Sequence, residues 1–142
     1  MKIAILGSGF IARFYATSLH AQRRKDLIVS VYSRDTEKAK RFAEDYQLPH
    51  FTNDMHSAIN HPEVEVVIIA LPNHLHEAAV TSCAKSKKHV LCTKPLGRTA
   101  AEAKRMLIEV EAAGIFGGYL EDLCYTPKFL KSVESVRAGG IG

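Results

Sequence analysis

The chain has no tryptophan and only three cysteines in 142 residues, and these absences narrow the field first. Cys83, Cys92 and Cys124 are odd in number and widely spaced, with no C-x-x-C pair and no histidine at ligand spacing. That argues against a disulfide framework or a metal site and favours a reducing compartment. No apolar run approaches the ~20 residues that a membrane span needs. The short N-terminal hydrophobic segment ends in glycines, so neither a span nor a signal peptide is expected, and the chain reads as cytoplasmic with no membrane partner. Positive charge is also not gathered into a stripe interleaved with aromatics. The net charge is +4, and the two basic clusters, Arg23-Arg24-Lys25 and Lys85 with Lys87-Lys88, fall where predicted helices end, where cations complement the negative dipole end. Nucleic acid is therefore not an expected partner. Internal repeats and low-complexity segments are absent as well.

What the chain does have is a buried strand, Lys2-Ile3-Ala4-Ile5-Leu6, running straight into Gly7-Ser8-Gly9-Phe10-Ile11-Ala12. A strand followed at once by G-x-G-x-x-A and a helix is how a dinucleotide-binding βαβ unit begins. Gly7 allows the turn off the strand, Gly9 leaves room between backbone and a pyrophosphate, and Ala12 lets the helix pack closely. The helix N-terminus faces the phosphates, so no lysine is needed in the loop. With 46% hydrophobic residues in a chain of single-domain length, the sequence can build its own core.

The pattern continues as strand 27–33, helix 36–46, a short strand near 49–51, a short helix near 54–60 and strand 64–70. Helix 74–86, strand 89–92, helix 99–113 and strand 115–119 follow. Val64 to Ala70 is apolar almost throughout, as suits a parallel strand covered on both faces. Helix 99–113 is expected to bury Ala101, Ala103, Met106, Leu107, Val110 and Ala113, and Gly114 to stop it. Six strands alternating with helices predict an α/β fold, a Rossmann-type doubly wound parallel sheet in three layers. Pro127 can open a last helix carrying Phe129, Leu130, Val133 and Val136 inward. The end on Gly139-Gly140-Ile141-Gly142 reads as a hinge. The expected division is residues 1–125 as the dinucleotide-binding unit and 126–142 as helix and hinge leading toward a second domain not contained in the chain.

Candidate functional residues collect at the strand ends. An acidic residue at the second strand's tip would bond the adenine ribose and repel a 2′-phosphate. This tip is instead Tyr32-Ser33-Arg34-Asp35: Ser33 falls near the ribose and Arg34 can pair with a 2′-phosphate, which favours NADP over NAD. The alternative for Arg34 is a solvated surface arginine, and Asp35 reads as a helix N-cap. After the fourth strand, Leu71-Pro72-Asn73 and His76 are candidates for the nicotinamide side, with Asn73 equally suited to cap helix 74–86 and His74 simply exposed. The fifth strand ends in Thr93-Lys94-Pro95. Thr93 could bond a ribose hydroxyl, and a lysine held beside a proline, partly withdrawn from solvent, is suited to proton transfer; a plain surface lysine is the alternative. Glu121, after the sixth strand, could meet a polyhydroxylated substrate or be merely solvated. Cys124 and Tyr125 read as packing residues, and no metal site is expected.

The combination of the Gly7-to-Ala12 loop, Tyr32-Ser33-Arg34-Asp35, Pro72-Asn73 with His76, Thr93-Lys94-Pro95 and the late Pro127 with Gly140-Ile141-Gly142 resembles the glucose–fructose oxidoreductase, inositol dehydrogenase and rhizopine-catabolism (Gfo/Idh/MocA) family over essentially the whole chain. That resemblance implies an NAD(P)-dependent oxidoreductase acting on a sugar, polyol or related small molecule, with a Rossmann domain followed by an antiparallel-sheet domain. It also implies a homo-oligomeric full-length form. The lysine of the family's Glu-Lys-Pro motif corresponds to Lys94, which would then assist proton transfer from a substrate hydroxyl. Thr93 departs from the pattern, standing where the family has glutamate. The family places most substrate ligands in the second domain, so little or no turnover is expected from this chain alone. Two other readings stay open: a non-catalytic dinucleotide-sensing module, and an imine or biliverdin-type reductase on the same first domain.

Overall fold

The computed structural model describes residues 1–22 and 25–140; Arg23 and Arg24 of the first basic cluster, and Ile141 and Gly142 of the expected hinge, lie outside the described residues. Among the described residues, six parallel strands form one sheet: β1 (Lys2–Leu6), β2 (Leu27–Tyr32), β3 (Phe51–Thr52), β4 (Val66–Ile69), β5 (His89–Thr93) and β6 (Gly117–Leu120), in the order β3-β2-β1-β4-β5-β6. The helices between them are α1 (Phe10–Gln22), α2 (Thr36–Asp45), α3 (Met55–Ile59), α4 (His76–Lys85) and α5 (Ala100–Ala113), and α6 (Pro127–Arg137) follows β6. This is the doubly wound Rossmann arrangement expected from the alternating pattern.

Side-chain alternation along each strand builds the three layers. In β1, Ile3 and Ile5 face a cluster with Ala12 and Ala16 of α1 and Phe42 of α2, whereas Ala4 and Leu6 face the opposite cluster with Ile59, Val80, Cys83 and Met106. All of β4 is buried, which explains its unbroken apolar run. Because β1 lies between β2 and β4, the strand order reverses there, and a crevice opens at the carboxyl ends of β1 and β4.

Local signals hold in several places. Asp35 caps α2 by accepting from the N–H groups of Glu37 and Lys38, and Thr99 caps α5 by accepting from Glu102 N–H. Gly114 ends α5 in the left-handed conformation at φ 65°. Other expectations need correction. Within α5 only Glu102 and Met106 are buried, while Ala101 and Leu107 are exposed. The helix packs against the sheet by a narrower stripe than its apolar residues suggest. Glu102 is drawn in because it receives the Arg98 guanidinium and backbone N–H, which also hold its carboxyl below the usual range. Helix α6 buries no residue, and Phe129, Leu130, Val133 and Val136 are about half exposed instead of turned into a core. Cys124 and Tyr125 are likewise exposed, in the 3-10 turn Asp122–Tyr125, instead of packed.

Candidate functional site

The site is built from the loops that leave the carboxyl edge of the sheet. Gly7 leaves β1 at φ 118°, and a side chain there would run into the backbone carbonyl of Ala70 leaving β4. Its N–H donates to Tyr32 O over 2.8 Å while Ala70 N–H donates to Leu6 O over 2.8 Å, so the three central strands meet at this glycine. Gly9 is different. Its φ lies outside the glycine-favouring range and no atom lies within 4 Å of where a side chain would begin. Nothing inside the protein demands glycine there; the open space lies at the start of α1, whose first N–H groups have no partner within the helix. That space fits an anion brought against the backbone.

Ser8 of the same loop donates its hydroxyl to Ser33 Oγ over 3.0 Å. Ser33 is buried at the tip of β2 and Arg34 beside it is exposed. Asp35 is committed to capping α2, and Lys38 Nζ lies 3.7 Å from its carboxylate. Arg34 makes no hydrogen bond or ion pair among the described residues, so its guanidinium is available to an incoming anion.

On the other side of the glycine loop lies a cleft of about 470 Å³. One wall is α1, with Phe10, Ile11, Phe14 and Tyr15; the floor is Leu71 and Asn73 after β4, with Thr93 at the end of β5 and Lys94 after it. The far side comes from Glu121, Asp122 and Leu123 after β6. The Tyr15 phenol is pushed up from its usual range by burial first, then by the carboxylates of Asp122 and Glu121. Among the described residues no cluster of three or more histidines, cysteines or carboxylates could hold a metal ion.

Most of the residues singled out from sequence thus converge. Phe10, Ile11, Leu71, Asn73, Thr93, Lys94 and Glu121 share the cleft, Pro72 and Pro95 adjoin its lining residues in the chain, and Ser33 and Arg34 lie outside the lining, Ser33 being tied to the glycine loop by its bond from Ser8. Asn73 does not cap α4: it opens a 3-10 turn (Asn73–Leu75), and α4 begins after Leu75 without a side-chain cap. Lys94 is exposed, so this chain does not itself supply the desolvation anticipated for it; its peptide bond to Pro95 is cis. His76 does not reach the cleft. It is 1% exposed, with Nε2 2.9 Å from Leu71 O and Nδ1 2.9 Å from Pro95 O, behind both loops. Phe14, Tyr15, Asp122, Leu123 and Thr126 line the cleft without having been singled out. The available signal was the spacing of Phe10 and Phe14, one turn apart on the face of α1 opposite Ala12 and Ala16.

A family model described as an oxidoreductase family with an NAD-binding Rossmann fold (GFO_IDH_MocA) matches residues 1–116. The bovine trans-1,2-dihydrobenzene-1,2-diol dehydrogenase is 32% identical over 139 residues, which is 97% of this chain and 40% of that protein. Levoglucosan dehydrogenase of Pseudarthrobacter phenanthrenivorans is 28% identical over 153 aligned residues, covering 100% of this chain and 38% of its own length. Among solved structures, a probable dehydrogenase from Thermotoga maritima superposes with a TM-score of 0.89 at 27% identity, over 100% of this chain and 42% of the other. The chain therefore spans about 40% of the length of the curated relatives it matches.

Proposed function

The chain belongs to the Gfo/Idh/MocA oxidoreductase family, and from that premise we propose that it is the dinucleotide-binding part of an oxidoreductase acting between the hydroxyl and carbonyl states of a small sugar, polyol or related cyclic alcohol. The observation that carries this reading is Gly9: a glycine required by neither backbone nor packing, at a helix start, with the Lys94 cleft on one side and the free Arg34 on the other. The dehydrogenase names of the relatives support the reaction class, since they act, by those names, on a cyclic diol and an anhydrosugar.

In this reading Gly7 to Ile11 hold the pyrophosphate against the N–H groups of α1. Ser33 and Arg34 hold the adenosine ribose, and the unpartnered guanidinium favours a 2′-phosphate, hence NADP over NAD. Leu71, Pro72 and Asn73 with Thr93 and Pro95 bound the nicotinamide side. The nicotinamide, when bound, supplies the hydride chemistry. Lys94 takes the proton from the substrate hydroxyl or returns it to the carbonyl oxygen, and Glu121 accepts a hydrogen bond from a second hydroxyl. Residues 1–125 form the binding unit, and 126–142 lead toward a part of the protein that completes the substrate site.

Calorimetric titration of this polypeptide with NADPH and NADH, beside Arg34→Ala, tests the proposal. NADPH binding that is tighter than NADH binding, and that falls to the NADH level in the variant, supports it. Absence of binding by either nucleotide overturns it, and equal binding of both in the wild type overturns the NADP assignment alone.

A further inference from the structure

We propose that His76 is a positioning residue: it fixes the Leu71–Asn73 loop against the Lys94–Leu96 loop and so sets affinity for the nicotinamide half of the dinucleotide, an inference that rests on the dinucleotide reading above. β4 and β5 are in register up to Ile69 and Cys92. Beyond that, no backbone-to-backbone hydrogen bond joins residues 71–73 to residues 94–96 among the described residues. What joins them is one imidazole. Nε2 lies 2.9 Å from Leu71 O, and Nδ1 lies 2.9 Å from Pro95 O and 3.3 Å from Leu96 O.

The ring is held for this task. It is 1% exposed, sits at the first position of α4, and has Cys92 Sγ 3.4 Å from Nδ1. Carbonyl oxygens only accept, so a ring with one N–H donates to a carbonyl of one loop, while a ring with both N–H groups donates to both loops. Leu71 stands two residues before Asn73, and Pro95 directly follows Lys94. The ring therefore spans the two peptide segments whose side chains meet in the cleft, and a shift of one segment against the other moves Asn73 relative to Lys94. Binding that depends on this spacing is confined to the nicotinamide side, because the adenine side is organised by Ser8, Ser33 and Arg34 on the far flank of the glycine loop.

The test separates local positioning from a general structural role by dividing the ligand. Wild type, His76→Gln and His76→Ala are titrated with a dinucleotide and with the same molecule lacking nicotinamide: NADPH beside 2′-phospho-ADP-ribose, or NADH beside ADP-ribose, whichever dinucleotide the wild type takes. Thermal melts run in parallel. Gln retains an N–H donor for one loop; Ala retains none. The expected result is a loss of dinucleotide affinity of about tenfold in the Ala variant, a smaller loss in the Gln variant, and affinity for the truncated ligand unchanged within about twofold. A parallel loss of both ligands, or no loss of either, in the folded Gln variant overturns the proposal even if the Ala variant fails to fold. Failure of the wild type to bind either member of the pair overturns the dinucleotide reading itself, and this proposal with it.

Discussion

Ser8 and Ser33 share a hydrogen bond of 3.0 Å between their hydroxyls, and it ties the glycine loop to the tip of β2. Ser8 is the donor, so Ser33 keeps its own proton for a ligand hydroxyl or phosphate. Replacing Ser33 with Asp puts a carboxylate where the proposed 2′-phosphate would sit and where a ribose diol could instead be bonded. The expected outcome is weaker NADPH binding by about tenfold or more and tighter NADH binding, from repulsion and charge-assisted bonding respectively. Paired titrations check it; an unchanged preference would mean that this tip does not face the adenine ribose.

A second prediction concerns acid stability. His50 accepts or donates at Nδ1 with the buried Ser30 hydroxyl over 3.0 Å, and its ring lies 4.9 Å from that of His61. Burial first, and the neighbouring His61 second, push the His50 pKa below its ordinary value of 6.5. The unfolded chain therefore binds more protons than the folded chain as pH falls below about 6.5. Stability from this group is present above that pH and lost as pH falls through the depressed folded value. Urea midpoints should decline between pH 7.5 and the depressed value, and His50→Gln should flatten that decline. The acid loss from Glu77 and Glu102, whose carboxyls are held low by bonds from Arg105 and Arg98, begins only below about 4.5 and remains in the variant.

The parts of this molecule that could be read from sequence are those governed by near neighbours in the chain. The Asp35 cap, the Gly114 stop and the fully apolar β4 each rest on residues within a turn or two. What could not be read depends on partners brought in from a distance. His76 reads as a residue of helix 74–86 with its ring toward the nicotinamide side until the carbonyls of Leu71, Pro95 and Leu96 are seen around it. Asn73 lost its capping role because the chain first makes a 3-10 turn and starts the α-helix later. For α6, the periodicity of Phe129, Leu130, Val133 and Val136 reports an apolar face correctly and says nothing of what covers it.

That apolar face gives the third prediction. The four residues are each about half exposed on a helix that buries none of its residues, and contiguous exposed apolar surface promotes association. Leu130→Glu combined with Val133→Glu should reduce concentration-dependent association in sedimentation velocity and leave the melting temperature within about 2 °C, because no core contact is removed. A large fall in melting temperature would show that the face is packed in solution.

The two loop glycines should fail in opposite ways. Gly7 combines φ 118° with a direct collision between any side chain and the Ala70 carbonyl. Ala70 cannot move aside, since its own N–H donates to Leu6 O in the middle of the sheet. Gly7→Ala should therefore cost about 3 kcal/mol or more from backbone strain and overpacking together, read as a lowered urea midpoint with an unchanged slope. Gly9→Ala meets nothing within 4 Å and needs no positive φ, so only the weaker helix-start preference of alanine counts against it, about 1 kcal/mol or less. Its cost should fall on the ligand, because a methyl group there stands between a pyrophosphate and the N–H groups of α1. Dinucleotide affinity in Gly9→Ala should drop by about tenfold or more while the fold stays intact. If that variant binds as the wild type does, the open space before Gly9 is not where phosphate approaches, and the reason for glycine at this position has to be sought elsewhere.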